Sequence, residues 1–348
     1  MLRYNQIGMR IEAQDEQVVS GSAQVGEEFR ALVSGCGVYR LDRAQISLTG
    51  SDRVRWLNGM VTNNVRDLAV GQGVYAFLLN PQGKIQGDLY AFNRGESLLV
   101  EAERGQVETV LQIFDRYIIM DDVEVQNLTG KFQVIGVAGP KSEGVLAAVG
   151  LQVGGLQALQ LADAEWNGAK LTVIRGDNPC VTTYELLVAE QDAESLWKAV
   201  LQAGVQEVHE PTRETFCIAC GIPKLGVDIR PRDLPQETGQ ERALNFSKGC
   251  YIGQEIVERI RSRGAVHRVF AGFEIEGTIP SAGFRIQEEG KDIAELTSVA
   301  TVPGSDRILA LGYGRRELMM PGKEFVAGDT KLRVVTLPFS GIFEAARN

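Results

Sequence analysis

The chain has 348 residues, with 36 Lys plus Arg against 45 Asp plus Glu, for a formal net charge of −9. Hydrophobic residues make up 44% and charged residues 23%, the balance of an ordinary soluble globular protein rather than a disordered or low-complexity one. The acidic surplus argues against direct nucleic-acid binding through bulk charge, because neutralising phosphates needs clustered Lys and Arg.

At roughly 100 to 200 residues per domain, this length implies two or three domains. The first residues, Met1 to Glu12, mix Arg3, Asn5, Gln6 and Arg10 with isolated apolar residues and form no signal-peptide core. No stretch approaches the ~18 apolar residues of a membrane span, so a cytoplasmic protein is expected. The five cysteines, Cys36, Cys180, Cys217, Cys220 and Cys250, are odd in number and sparse, which fits a reducing compartment better than a disulfide framework.

In chain order, Glu27 to Ser34 is amphipathic and ends at Gly35 and Gly37, as a helix entering a sheet does. Val38 to Leu48 alternates as a hairpin would, and Asp52 to Gly59 carries Val54 and Leu57 at helical spacing. Val74 to Leu79, Ile85 to Phe92 and Ser97 to Glu101 read as strands separated by turn residues. Gln106 to Tyr117 puts Val107, Val110, Leu111 and Phe114 on one helical face. A weaker echo follows: strands over Leu171 to Arg175 and Thr183 to Ala189, then a helix over Ala193 to Ala203. After Pro211 a short helix runs toward Cys220, with Gly221 and Pro223 as stop signals.

From about Arg268 the chain breaks into short apolar runs cut by glycine, the pattern of a small antiparallel barrel or sandwich. The expected division is an N-terminal α+β unit over 1–125 with 206–265 packing back on it, a second α+β unit over 126–205, and a C-terminal β-barrel over 266–348.

The most informative segment is Lys248-Gly249-Cys250-Tyr251-Ile252-Gly253-Gln254-Glu255. Glycines flanking a thiol permit close approach by another group, and Lys248 with the downstream arginines would favour a thiolate. The alternative is a small buried hydrophobe in a turn. Cys217 and Cys220 form one Cys-x-x-Cys pair without a second, so packing on a helix face explains them better than zinc or an iron–sulfur cluster, and no metal is expected. With only His209 and His267, a histidine triad is improbable. Arg259, Arg261, Arg263 and Arg268 read as a solvated basic loop, or else as a contact for the carboxylate tail of a ligand, an acidic partner or RNA phosphate.

The octapeptide 248–255 resembles the signature of the YgfZ family of folate-binding proteins, paralogues of the glycine-cleavage T-protein (aminomethyltransferase). Gly221-Ile222-Pro223, Gly226-Val227-Asp228, Leu234-Pro235-Gln236-Glu237, Arg259 and Arg263-Gly264 accompany it. Toward the front, Gly50, Asp52, Trp56-Leu57-Asn58-Gly59, Val61-Thr62-Asn63, Asn80-Pro81-Gln82-Gly83-Lys84 and Gly87-Asp88-Leu89 are also similar. The resemblance implies a three-domain, cloverleaf-like α+β fold whose N-terminal unit binds a reduced folate, tetrahydrofolate or a one-carbon-substituted form. It further implies that Asp88 faces the reactive folate nitrogens and that Glu185 grips the pterin, whose 2-amino and N3–H groups form a two-donor edge suited to a carboxylate. Tyr184 or Tyr90 would offer a stacking face, and Arg213 matches an arginine of the family's helix. That helix carries an arginine and a glutamate where this chain has Cys217 and Ala219, and the cysteine motif is foreign to the catalytic T-protein.

The function so implied is that of a reduced-folate-binding accessory protein. It would support iron–sulfur protein assembly or repair through iron–sulfur proteins or assembly factors, and indirectly tRNA modification, with Cys250, Lys248 and Asp88 as the chemically active residues. The alternatives are an aminomethyltransferase acting on tetrahydrofolate, and a folate-independent thiol scaffold or redox protein.

Overall fold

The computed structural model describes residues 23–264 and 266–345; the segment Met1 to Glu12 read above lies outside them. Residues 23–34 form helix α1. Three sheets follow, each built from alternating strands that bury one face against helices.

The first sheet orders β3 (Gly73–Leu79), β4 (Ile85–Asn93), β5 (Leu98–Glu103), β2 (Arg43–Thr49) and β6 (Glu124–Asn127). Its inner face, including Ala44, Ile46, Leu89, Ala91, Leu98 and Val100, packs on α2 (Arg53–Met60) and α3 (Val107–Tyr117). The periodicity of α3 explains the contact: Val107, Val110 and Phe114 are buried, and Phe114 meets Trp56 edge-to-face with centroids 5.1 Å apart.

The second sheet orders β11 (Gln206–Glu207), β1 (Gly37–Leu41), β7 (Phe132–Ala138), β10 (Thr183–Ala189), β9 (Ala169–Arg175) and β8 (Leu161–Trp166). It packs on α4 (Ser142–Ala148) and α5 (Glu190–Gln202) through Ile135, Val137, Leu186, Leu196 and Trp197. Val38 to Leu48 is not the expected hairpin. β1 pairs with β7 whereas β2 pairs with β5 and β6, so the chain crosses from one sheet to the other at Asp42. Alternation identifies a strand but does not name its partner.

Helix α6 (Glu210–Ala219) starts with Pro211, tolerated in a first turn because its missing N–H has no partner there anyway. It precedes a long segment to α7 (Gln254–Arg263), which carries Arg259, Arg261 and Arg263 on a helix and not in the expected basic loop. Ile229, Ala243, Tyr251 and Val257 from this segment pack on Tyr75, Phe77, Leu79 and Ile85 of β3 and β4.

The third sheet is wholly antiparallel: β13 (Arg285–Glu288), β14 (Lys291–Thr301), β15 (Ile308–Arg315), β12 (Arg268–Gly277), β17 (Thr330–Val335) and β16 (Glu324–Ala327). Its edge strands approach each other, so the sheet is barrel-like around Phe273, Leu296, Ala310 and Leu332. The chain closes with α8 (Ser340–Ala345), whose Phe343 meets Phe216 of α6. Among the described residues no helix is long and apolar enough to cross a membrane.

Candidate functional site

The outer faces of the first two sheets turn toward each other. At one end Phe92, Leu99, Val134, Ile174 and Leu187 seal the interface as an apolar cluster. At the other end the same strand positions carry polar groups, and the sheets part around a cavity of about 430 Å³. Strand alternation decides the lining: Arg43 comes from β2, Tyr90 from β4, Glu101 and Glu103 from β5, Tyr39 from β1 and Glu185 from β10. Arg213, Phe216 and Cys217 of α6 form another wall, and Thr297, Ser298 and Val299 of β14 bring in the third sheet. A smaller recess of about 70 Å³ shares Arg43, Tyr90 and Arg242 and adds Tyr75 and Asp88.

Glu185 faces Arg43 across 3.7 Å, and the Arg43 guanidinium also lies over the Tyr90 ring at 5.5 Å. Burial opposes the charge on Arg43, but Glu185 and the other acidic groups nearby outweigh it and hold its pKa above the ordinary value. Glu101 is 1% exposed. Burial, and then the neighbouring Glu185, push its carboxyl up to about 8, so it is mostly neutral at pH 7.

Asp88 sits in the recess with both oxygens engaged: the Tyr75 hydroxyl donates to Oδ2 at 2.6 Å and the Gln106 amide to Oδ1 at 2.7 Å. The Asp88 N–H in turn donates to Gln106 Oε1 at 3.1 Å. The carboxylate is therefore fixed in orientation. Tyr90 donates to Asp177 at 3.4 Å, and Asp177 also pairs with Arg242, whose guanidinium covers Tyr75 at 4.2 Å. Arg213 reaches the cavity wall, but its guanidinium is bound at both ends by Glu210, at 2.8 and 2.6 Å.

Thus Tyr90, Glu185 and Arg213 line one cavity, and Asp88 lies in the recess that shares Tyr90 with it, although the four are far apart in the chain. Tyr184 does not join them. Next to Glu185 on β10, it points to the opposite face and is buried in the α4–α5 core, with Arg175 stacked on its ring at 5.4 Å. Arg43, Glu101 and Arg242 were not singled out from the sequence. Glu101 left a signal there: a carboxylate interrupting the apolar run Leu98-Leu99-Val100-Glu101-Ala102.

The octapeptide lies apart from this cavity and is used mainly for structure. Lys248 is buried and donates from Nζ to the carbonyl oxygens of Asn58, Val61 and Asn63 at 2.5, 2.6 and 2.7 Å. It thereby satisfies carbonyls at the C-terminal end of α2 and in the residues just beyond it. Burial and then Arg66 lower its pKa to about 7. Its ammonium is committed to α2 rather than to the thiol of Cys250. Tyr251 is buried beneath it. Gly253 caps α7 with φ +81, and a Cβ there would stand 2.7 Å from the Asn80 carbonyl oxygen. Only glycine fits, because the position is both left-handed and pressed on the Asn80–Gly83 turn. Gln254 and Glu255 begin α7, the acid favourably placed in its first turn. Gly249 and Cys250 are left exposed.

Cys217 and Cys220 part company. Cys217 lines the cavity and burial pushes its thiol up, whereas Cys220 packs with Phe29, Leu32 and Phe216 and contacts Cys180. Among the described residues no group of three or more His, Cys, Asp or Glu side chains is arranged to hold a metal ion.

The chain is 26% identical over 329 residues to an aminomethyltransferase of Rubrobacter xylanophilus, covering 91% of this chain and 86% of that protein. It is 28% identical over 331 residues to an aminomethyltransferase of Streptomyces coelicolor, covering 90% and 88%. Its fold matches the crystal structure of the glycine cleavage system aminomethyltransferase T from Bartonella henselae, with a TM-score of 0.82 at 21% identity over 90% of this chain and 89% of the other. The profile of the GCVT N-terminal domain matches residues 9–248, well over half of the sequence. The chain belongs to the GCVT N-terminal domain family.

Proposed function

We propose that this protein binds a reduced folate in the cavity between its first two sheets and acts as an accessory protein of the YgfZ type, supporting iron–sulfur protein assembly or repair. The observation that carries the binding reading is the pairing of Glu185, beside Arg43 on the cavity wall, with Asp88 in the adjoining recess. A carboxylate accepts the paired donors of a pterin edge, and Tyr90 and Phe92 supply flanking aromatic surface. The volume is within the range of small-molecule sites. In this reading Asp88, held by Tyr75 and Gln106, lies toward the one-carbon-bearing nitrogens.

The accessory role rests on the cysteine motif and on α6. Cys217 presents a thiol to the cavity where the resemblance to the T-protein implies an arginine, and the nearby Arg213 is already paired with Glu210. The exposed Cys250 is then the residue available to a protein partner.

A second reading, aminomethyl transfer to tetrahydrofolate, is favoured by the names of the relatives and by the retained Asp88 and Glu185. Calorimetric titration with tetrahydrofolate, against folic acid as comparison, tests the folate reading, and no binding of the reduced form ends it. A reconstituted glycine-cleavage assay with the lipoylated carrier separates the two roles: robust formation of methylene-tetrahydrofolate would replace the accessory reading with the enzymatic one.

A further inference from the structure

Two of the carboxyl groups on the cavity wall, Glu101 and Glu185, act on one another, but of these two only Glu185 forms an ion pair. Among the described residues Glu101 has none, although it is 1% exposed. Beside it, Gln45 donates from Nε2 to Glu101 Oε1 at 3.3 Å, while the buried Gln45 Oε1 has no donor. An ionised Glu101 cannot supply one, because a carboxylate only accepts; a carboxylic acid can, since an acid and a primary amide pair reciprocally. The charge of Arg43 acts on both carboxyls but its ion pair is with Glu185, and the orphaned amide oxygen beside Glu101 places a proton on that residue.

We propose that neutral Glu101 and ionised Glu185 together recognise the 2-amino-4-oxopyrimidine ring of a reduced pterin. This rests on the folate reading above and deepens it. Such a ring has two adjacent edges that share the amino group. One edge offers two donors, the ring N–H and one amino hydrogen, and matches the acceptor-only Glu185. The other offers a ring-nitrogen acceptor beside the second amino hydrogen, and matches a carboxylic acid, which has one donor and one acceptor. When the pterin binds, the Glu101 O–H exchanges its bond to Gln45 for one to the ring nitrogen by rotation about the last side-chain torsion, which is broad.

Ionisation of Glu101 would remove that donor, oppose two lone pairs and add a second negative charge beside Glu185. Affinity for a neutral pterin therefore falls as pH rises through about 8. The other charged groups on the cavity wall are Arg43 of β2, Glu103 of β5, Glu185 of β10, Asp177 of the β9–β10 loop, Arg213 and Glu214 of α6, and Lys224, Asp228 and Arg242 of the segment after it. Burial opposes the charge on Arg43, Arg213 and Arg242, but their neighbours outweigh it and shift all three upward, and the bond to Glu214 raises Lys224. Tyr39 on β1, Tyr90 on β4 and Cys217 on α6 are all pushed upward by burial. Lys248 loses its charge near 7, but it lies against the end of α2, outside the cavity lining.

The test is calorimetry with 6-methyltetrahydropterin, which has no glutamate tail, under anaerobic conditions at pH 7.0 and 9.5. Wild-type affinity should fall by about thirtyfold. Glu101→Gln, whose amide offers a donor and an acceptor at every pH, should lose this dependence, its affinity differing less than about threefold between the two pH values. A flat wild-type profile, or the same fall in Glu101→Gln, overturns the proposal while leaving folate binding standing. No wild-type binding at pH 7.0 overturns both. Independently of ligand, carbon-13 NMR of the Glu101 side-chain carboxyl, assigned by its loss in Glu101→Gln, should titrate near pH 8; a midpoint in the ordinary carboxylate range overturns the proposal whatever the pterin does.

Discussion

The ammonium of Lys248 lies 2.5 Å from the carbonyl oxygen of Asn58, at the C-terminal end of a helix almost two hundred residues earlier in the chain. With Val61 and Asn63 it completes a cage of three carbonyls, so the lysine of the cysteine motif joins two distant segments. Hydrogen bonds to a charged group contribute roughly 1.5 to 3 kcal/mol each, and their loss here would leave buried carbonyls unpaired. Lys248→Met should therefore lower stability by about 3 kcal/mol in urea unfolding at a pH below about 7, where the amine is protonated. A change below about 0.5 kcal/mol would show that the cage is not structural.

Glu185→Gln should keep the fold and weaken tetrahydrofolate binding by on the order of 1.5 to 3 kcal/mol, since one side of a charge-assisted pair is lost. Calorimetry reads this directly. Unchanged affinity would remove Glu185 from the ligand's surroundings.

Glu28 fastens α1 to the start of α6. It accepts from the Thr212 hydroxyl at 2.6 Å, from the His209 N–H at 3.0 Å and lies 2.7 Å from His209 Nδ1. Burial raises its pKa, but the bonds from Thr212 and His209 outweigh this and hold it below 4.5. Its contribution is therefore present above that value and lost as pH falls through the lowered one. The hydrogen bond from Glu28 raises His209 above 6.5, so the histidine's contribution is present below 6.5 and lost as pH rises through the raised value. The melting difference between wild type and His209→Gln should peak between about pH 4.5 and 6.5 and shrink as pH rises through the raised value of the histidine. A difference independent of pH would assign the contact to packing alone.

Cys250→Ser alters an exposed side chain, so stability should shift by no more than about 0.5 kcal/mol, and folate affinity should be unchanged. If the thiol serves iron–sulfur proteins, the variant should still fail to restore their activities in a strain lacking the native protein, because a hydroxyl stays protonated at neutral pH. Full restoration would reduce the motif to its structural part.

Cys220 is enclosed by apolar side chains, and replacing it with alanine should cost about 1 to 2 kcal/mol without loss of a metal. Elemental analysis of anaerobically purified wild-type protein showing stoichiometric zinc or iron would revise that assignment.

Local sequence determined most elements, because periodicity and turn residues act within a few positions. The Thr183–Ala189 strand was read with its observed ends, and Val107–Tyr117 to within a residue. The fold was also legible, through the motifs around Gly83 and Gly253, two glycines whose turns pack on one another. Tertiary structure alone decided which strands share a sheet, since β1 and β2 alternate alike yet part at Asp42. It also decided which neighbour on a strand faces the ligand space: Glu185 lines it while Tyr184 is buried behind it. The character of Glu101 could not be read from its surroundings in the chain, because burial, Glu185 on another sheet and Gln45 on the adjacent strand meet around it only after the two sheets close.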